Sequence, residues 1–175
     1  MKKSFYSLLV VFSLIVSDTH ANEGVSHLWN EFEYVGFQGG TYDIGDREDG
    51  LFAGLNGFYH TYLEHSRSGG VFKHFNSLGV LGTLNYYLET EDIALSGFIT
   101  SGYYLSEDTL LQWGVGMTYS GSFGTSLSVI THVAYAYHAD YALAFFAQTD
   151  YFPEIDAISA QFGVSFGFGS LKSYQ

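Results

Sequence analysis

The stretch "LQWGVGMTYS", residues 111–120, alternates large apolar side chains with small or polar ones. The large phase contains Leu111, Trp113, Val115, Met117 and Tyr119, and the phase between contains only Gln, Gly, Thr and Ser. A period of two is typical of a β-strand that presents two different faces. The same alternation recurs over residues 125–138 and 158–168. These segments are therefore predicted to be strands with one oily face and one small, polar face.

Applying this test along the chain predicts eight strands, and no helical pattern remains beyond residue 21. They lie near residues 30–42, 51–63, 71–88, 93–105, 110–120, 125–138, 141–151 and 158–168. Each gap contains Gly, Asp or Ser, which are typical of tight turns. Eight antiparallel strands can build a sandwich, a soluble lipocalin-like barrel or a membrane barrel.

The distribution of charge decides between these architectures. In strands four to eight the oily face carries no Lys, Arg, Asp or Glu, and the opposite face is small and almost uncharged. A membrane barrel places apolar residues towards lipid and polar residues inside, which is the reverse of a soluble barrel. Every run reaches the roughly 9–11 residues that a tilted spanning strand needs. We therefore predict an all-β fold, an eight-stranded antiparallel up-and-down transmembrane β-barrel.

Two details of this barrel follow from the strand phases. Tyrosines near the strand ends are expected at the membrane interfaces: Tyr86, Tyr103, Tyr119, Tyr137 and Tyr151. A barrel of eight strands has an interior that side chains can fill, so we expect little or no conductance. The predicted lumen-lining residues are Gly54, Asn56, His60, Asn85, Gln112, His132 and Gln148.

The facing of the first strand is left open by the sequence. Outward Val35 and Phe37 suit a bilayer, with Gly36 and Gln38 inward. However, Glu31 and Glu33 share that outward phase, so they would have to lie below the membrane.

The first 21 residues have the features of a secretory signal peptide, which leaves residues 22–175 as the barrel domain. Lys2 and Lys3 precede the apolar run at residues 5–16, and Thr19 and Ala21 occupy small-residue positions of a cleavage site. The chain has no cysteine, so neither disulfides nor a lipidated cysteine is expected. We predict export and residence in the cell outer membrane.

The charge balance excludes one class of partner. The chain has 18 acidic and 6 basic residues, whereas nucleic-acid binding relies on clustered Lys and Arg. The acids concentrate in the predicted outer connections, residues 43–50, 89–92 and 152–157. These are Asp43, Asp46, Glu48, Asp49, Glu89, Glu91, Asp92, Glu154 and Asp156. They are interpreted as solvated turns, and the alternative is a Ca²⁺ or Mg²⁺ bridge to anionic lipopolysaccharide.

One segment brings together residue types that carry chemistry. "FYHTYLEHSRSGGVFKHF", residues 58–75, contains His60, Glu64, His65, Ser66, Ser68 and His74. A lipid-modifying hydrolase or acyltransferase would need a nucleophile, a base and an orienting group here, and a metal site would use His60, His65 and His74. Neighbours on a strand point to opposite faces, and the histidine spacing fits no familiar ligand pattern. We therefore predict no catalytic, cofactor-binding or metal-ligating residues and no cofactor.

Several segments resemble small Gram-negative outer-membrane barrels of the OmpA-type and OmpX-type architecture. They are "FEYVGFQGGTYDI" with "DGLFAGLNGFYH", the mid-chain "SLGVLGTLNYYL" and the closing "AQFGVSFGF". The resemblance implies a terminal strand that is read by the barrel-insertion machinery. Such chains end on an aromatic residue, whereas here Phe168 is followed by "GSLKSYQ", so Phe168 or Tyr174 would serve.

The expected function is a structural or surface-interaction role without catalysis. The alternatives are a narrow passive channel for small solutes and a lipid-modifying enzyme. Expected partners are outer-membrane lipids, lipopolysaccharide and the insertion machinery, and a monomer is expected.

Overall fold

The chain forms one closed antiparallel barrel in which each strand pairs with its neighbours in sequence and β1 pairs with β8. The structure is a computed structural model that describes residues 31–45, 48–62, 77–106, 109–138 and 141–172. The strands are β1 Glu31–Ile44, β2 Glu48–Tyr62, β3 Ser77–Tyr87, β4 Asp92–Ser106, β5 Thr109–Ser120, β6 Gly124–His138, β7 Tyr141–Phe152 and β8 Ala157–Lys172. Within the described ranges, no helix has the length and apolar character needed to cross a bilayer.

The strand register shows how strongly the barrel is sheared. A line of paired residues that starts at Glu33 returns to β1 at Asp43, ten residues further along the strand. The line passes through Tyr59, Val80, Ile99, Val115, Val129, Thr149 and Ala160. Strand number and shear together set the tilt and diameter of a barrel, and eight strands enclose a space that side chains fill.

The two phases of every strand face opposite sides of the wall. On β4, Ile93, Leu95 and Ile99 are exposed, whereas Ser96 and Thr100 are buried. The first strand follows the same rule, because Val35 and Phe37 are 69% and 64% exposed and Gln38 is buried. The question that the sequence left open is thereby answered: Val35 and Phe37 lie on the outer face.

The outer face is apolar over the height of the barrel. Its exposed large residues include Leu55, Val80, Leu84, Val115, Met117, Leu127, Val129, Phe145, Phe162, Val164 and Phe166. Tyr86, Tyr119 and Tyr151 are exposed near strand ends, as predicted for an interface girdle. An apolar surface this extensive is unfavourable in water and favourable in hydrocarbon.

The seam between β1 and β8 depends on inward glycines. A methyl group at Gly40 would overlap the carbonyl oxygen of Phe162, and one at Gly36 would overlap that of Phe166. No side chain therefore fits at Gly36 or Gly40, where these two strands close the barrel.

The turns at the end of the barrel away from the chain termini, which we call the outer turns, are short. Acidic side chains in them form hydrogen bonds. The backbone N–H of Leu51 donates to Oε2 of Glu89 at 2.8 Å, and the Tyr151 hydroxyl donates to Oδ1 of Asp156 at 3.3 Å. Glu91 and Asp156 have φ values of 52° and 49°, the left-handed conformation that these tight reversals use. Glu89 and Asp156 therefore stabilise these turns through hydrogen bonds.

Some element bounds differ from the predicted ones. β1 continues to Ile44 and β2 begins at Glu48, so the first outer connection is shorter than residues 43–50. β8 continues past Phe168 to Lys172, pairing with the start of β1. Backbone pairing continues these strands past the segments in which large apolar residues alternate with small or polar ones. The predicted signal peptide, the start of the predicted third strand and Tyr174 lie outside the described residues.

Candidate functional site in the lumen

The outer half of the lumen contains a hydrogen-bonded group that we call the acidic cluster: Asp150, Ser128, Gln148, Gln161 and Thr118. Oδ1 of Asp150 accepts from the Ser128 hydroxyl at 2.5 Å and from Nε2 of Gln148 at 2.8 Å. Oδ2 accepts from Nε2 of Gln161 at 2.8 Å. The Thr118 hydroxyl lies 3.1 Å from Oδ1. Donors from four strands therefore converge on one carboxyl group.

Asp150 is completely buried. Within the part of the lumen that the structure describes, no lysine or arginine side chain accompanies it. A buried carboxylate is tolerated when hydrogen bonds replace the water that it loses. The amide and hydroxyl groups of the acidic cluster provide that replacement.

The cluster extends across the lumen to β1 and β3. Nε2 of Gln38 donates to Oδ1 of Asn85 at 2.5 Å, and Nδ2 of Asn85 lies 3.5 Å from Oε1 of Gln161. Side chains on β1, β3 and β8 are thus connected to Asp150 on β7. The polar network ties β3 to β1 and β8, with which it does not pair.

A second carboxyl group lies at the outer end of the lumen. Asp92 accepts from the Ser120 hydroxyl and, at 3.1 Å, from the backbone N–H of Ser122. The sequence places Asp92 among the solvated loop acids, but it begins β4 and is buried. Its phase on the strand, shared with Ser96 and Thr100, determines this inward position.

Four apolar residues, which we call the apolar layer, lie two residues from Asn56, Ser96, Ser128 and Gln148, towards the end of the barrel that holds the termini. They are Phe58, Phe98, Ile130 and Phe146. All four side chains are buried. On β2, β4 and β6 the layer residue is flanked two residues away by a polar residue on each side. Those on the outer side are Asn56, Ser96 and Ser128, and those on the inner side are His60, Thr100 and His132.

The inner polar group is the histidine cluster: His60, Thr100, Gln112 and His132. Nε2 of His60 lies 3.2 Å from the Thr100 hydroxyl, and Nδ1 of His132 lies 3.1 Å from Oε1 of Gln112. The His132 ring also packs edge-on against Phe58, with ring centroids 5.1 Å apart. All four members are buried, so both histidines belong to the lumen.

The predicted lumen residues are found where the sequence placed them. Asn56, His60, Asn85, Gln112, His132 and Gln148 are buried, and Gly54 shares their inward phase. The predicted set of lumen residues omitted Asp150 and Gln161, whereas Gln38 was placed inward under one of the two facings of the first strand. Alternate residues of a strand share a face, so the inward positions of Asp150 and Gln161 could have been predicted. Asp150 follows Gln148 by two residues, and Gln161 lies between Ala160 and Phe162, which are on the outward phase.

The candidates for enzymatic or metal chemistry are mostly beyond the described residues. Glu64, His65, Ser66, Ser68 and His74 lie in the segment 63–76, which the structure does not describe. His60 is described, and its buried ring contacts Thr100 and not the lipid-facing surface. Among the described residues, no three His, Cys, Asp or Glu side chains form a group that could hold a metal ion.

Comparison with known proteins identifies the fold. No family model and no curated protein matches the chain. The crystal structure of Neisserial surface protein A is similar, with a TM-score of 0.52 at 12% identity over 79% of this chain and 97% of that one. The crystal structure of Ail, the attachment invasion locus protein of Yersinia pestis, gives a TM-score of 0.52 at 11% identity over 81% and 98% of the two chains.

The closed eight-stranded fold and its apolar outer face define a transmembrane β-barrel of the outer-membrane type. The predicted fold class is confirmed, and an outer-membrane location follows from this fold together with the apolar face. The resemblance to outer-membrane barrels is confirmed at the level of fold. Membership of the OmpA-type or OmpX-type group stays a prediction.

Proposed function

We propose that this outer-membrane barrel is a closed, non-catalytic protein with a structural or surface-interaction role at the cell envelope. The observation that carries the proposal is the filled lumen. The acidic cluster, the apolar layer and the histidine cluster together fill the interior with buried side chains. A continuous aqueous path for solutes would have to displace these side chains.

The outer end of the lumen is also occupied by large side chains. Tyr42 and Tyr87 contact each other with ring centroids 4.5 Å apart, and Phe123 and Phe152 do so at 5.9 Å. All four rings are buried. Passage from the outer side would require these rings to move as well.

The outer rim offers a surface for interaction. Glu48, Asp49, Glu91 and Glu154 are exposed at or next to the outer turns. An anionic rim favours contact with cationic groups and, through divalent cations, with anionic lipid headgroups. Lipopolysaccharide is the partner that we propose for this rim, and outer-membrane lipids are those that we propose for the apolar face.

The two similar structures support a role at the surface by their names, which describe a surface protein and an attachment invasion locus protein. For assembly, we propose that the chain is a monomer inserted by the barrel-insertion machinery. Phe168 is available on the outer face, where it packs against Tyr141 and Phe166.

Planar-bilayer recording tests the closed lumen. The reconstituted protein is expected to give no discrete conductance steps, because the apolar layer excludes hydrated ions. A variant with Phe98→Gly and Ile130→Gly is the matched control, since it removes side chains from that layer alone and should leak. Reproducible unitary steps from the unmodified protein would overturn the proposal and favour the narrow channel.

A further inference from the structure

The histidine cluster contains nitrogen atoms that the protein itself does not satisfy. Nδ1 of His60, Nε2 of Gln112 and Nε2 of His132 are buried and have no hydrogen-bond partner among the residues that the structure describes. His60 and Gln112 are 0% exposed and His132 is 1% exposed. Leaving such groups unpaired away from solvent is unfavourable, so buried polar groups are usually bonded to protein or to ordered water.

The bonds already present determine what these atoms can accept or donate. Oε1 of Gln112 is an acceptor, so the His132 nitrogen facing it, Nδ1, carries the proton. The other ring nitrogen, Nε2, then has a free lone pair in the neutral ring. The side-chain NH₂ of Gln112 is a donor only. The cluster therefore offers one acceptor and two donor protons next to each other on β5 and β6.

We propose that the histidine cluster binds ordered water at its unpaired nitrogen atoms, Gln112 Nε2, His132 Nε2 and His60 Nδ1. A water molecule both donates and accepts, which matches the mixed set of free groups. A metal ion fits less well, because only two members of the cluster are metal-ligating residue types and neither carries a negative charge to balance a cation. Asp150 is on the far side of the apolar layer.

The apolar layer borders the histidine cluster. Phe58 packs directly on His132, and Ile130 lies between His132 and Ser128 along β6. In the acidic cluster the corresponding amide is already paired, since Nε2 of Gln161 donates to Asp150 and its Oε1 faces Asn85. In the acidic cluster the unpaired buried atom is an acceptor, Oε1 of Gln148. The two clusters thus differ in their amide donors, because Nε2 of Gln161 is paired and Nε2 of Gln112 is not.

This difference supplies an internal control for the experiment. The protein in lipid nanodiscs, with ¹⁵N-labelled glutamine and histidine, is examined for magnetisation transfer from water to the side-chain amide protons. Gln112 should show cross-peaks to water that are several-fold stronger than those of Gln161. Transfer to Gln112 that is no stronger than transfer to Gln161 would overturn the proposal.

Two further measurements sharpen the test. Gln112→Leu should abolish transfer from water to the His132 ring protons, because it removes a donor that holds the water. Persistent transfer in a folded Gln112→Leu protein would show that Gln112 does not hold the water, which would contradict its role in the site. Stoichiometric shifts of both histidine ring nitrogens on adding ZnCl₂ to the unmodified protein would instead identify a metal site and overturn the assignment to water.

Discussion

The substitution Asp150→Asn probes the acidic cluster at its centre. It keeps the size of the side chain and one acceptor oxygen but replaces the other oxygen with an NH₂ group. In the native protein Oδ1 accepts from Ser128 and Gln148, and Oδ2 accepts from Gln161. Whichever way the Asn amide turns, at least one of these donors must face another donor.

The expected loss follows from these contacts. A hydrogen bond to a charged group contributes about 1.5–3 kcal/mol, against about 1 kcal/mol for a neutral pair. Asp150→Asn removes one bond to the carboxylate and weakens the others. We therefore expect the free energy of unfolding to fall by about 2–4 kcal/mol.

Reversible urea unfolding in phospholipid, followed by tryptophan fluorescence, measures this change. Asp49→Asn is the matched control, because Asp49 is an exposed carboxylate at the outer end of β2, and it should change stability by less than about 0.5 kcal/mol. If Asp150→Asn were as mild as this control, the carboxyl group would not organise the lumen, and the role given to the acidic cluster would be refuted.

Two other predictions concern the wall of the barrel. Gly40→Ala should destabilise the barrel by about 1–3 kcal/mol or more, because the new methyl would overlap the Phe162 carbonyl, whereas Gly97→Ala should be tolerated because no atom lies within 4 Å of its added methyl. Heat-modifiability on gel electrophoresis measures the temperature at which each variant unfolds. Equal unfolding temperatures for the two variants would contradict the close approach of Gly40 to the Phe162 carbonyl. Val115→Arg, at the middle of β5, should lower the free energy of unfolding by about 2–4 kcal/mol. Thr125→Arg, near the outer end of β6, should lower it by only about 0–1 kcal/mol. Urea unfolding in bilayers checks this dependence on depth, and equal costs would place Val115 outside the hydrocarbon.

The facing of the strands could be predicted from the sequence because lipid and lumen impose opposite demands on alternate residues. Residues 115–120 carry this signal clearly, and the structure follows it. Leu111 shares the phase of Val115 but is buried, so the prediction of an exposed side chain there is wrong. The facing of β1 was ambiguous because Glu33 shares the outward phase of Val35 and Phe37. The alternation of residues along a strand does not indicate where the bilayer ends. Pairing of β1 with β2 and β8 fixes its facing.

The polar clusters could be predicted only in part. Phase alone places Gln112, His132 and Gln148 inside, but the partners of each depend on barrel shear, which brings together strands distant in sequence. Asp92 was misread because its position next to Glu89 and Glu91 resembles a solvated turn. Its inward direction follows from the first residue of β4, a boundary that the sequence does not define.

The central claim is that the apolar face contacts lipid and the polar face fills the lumen. Since the chain has no cysteine, single-cysteine variants at residues 126–131 can each carry a nitroxide label in a bilayer. Collision rates with oxygen and with a water-soluble nickel chelate are then measured. We expect high oxygen and low nickel collision rates at residues 127 and 129, and low rates for both probes at 126 and 128. Nickel accessibility at residues 126 and 128 combined with oxygen-inaccessible labels at 127 and 129 would contradict the assignment of the two faces.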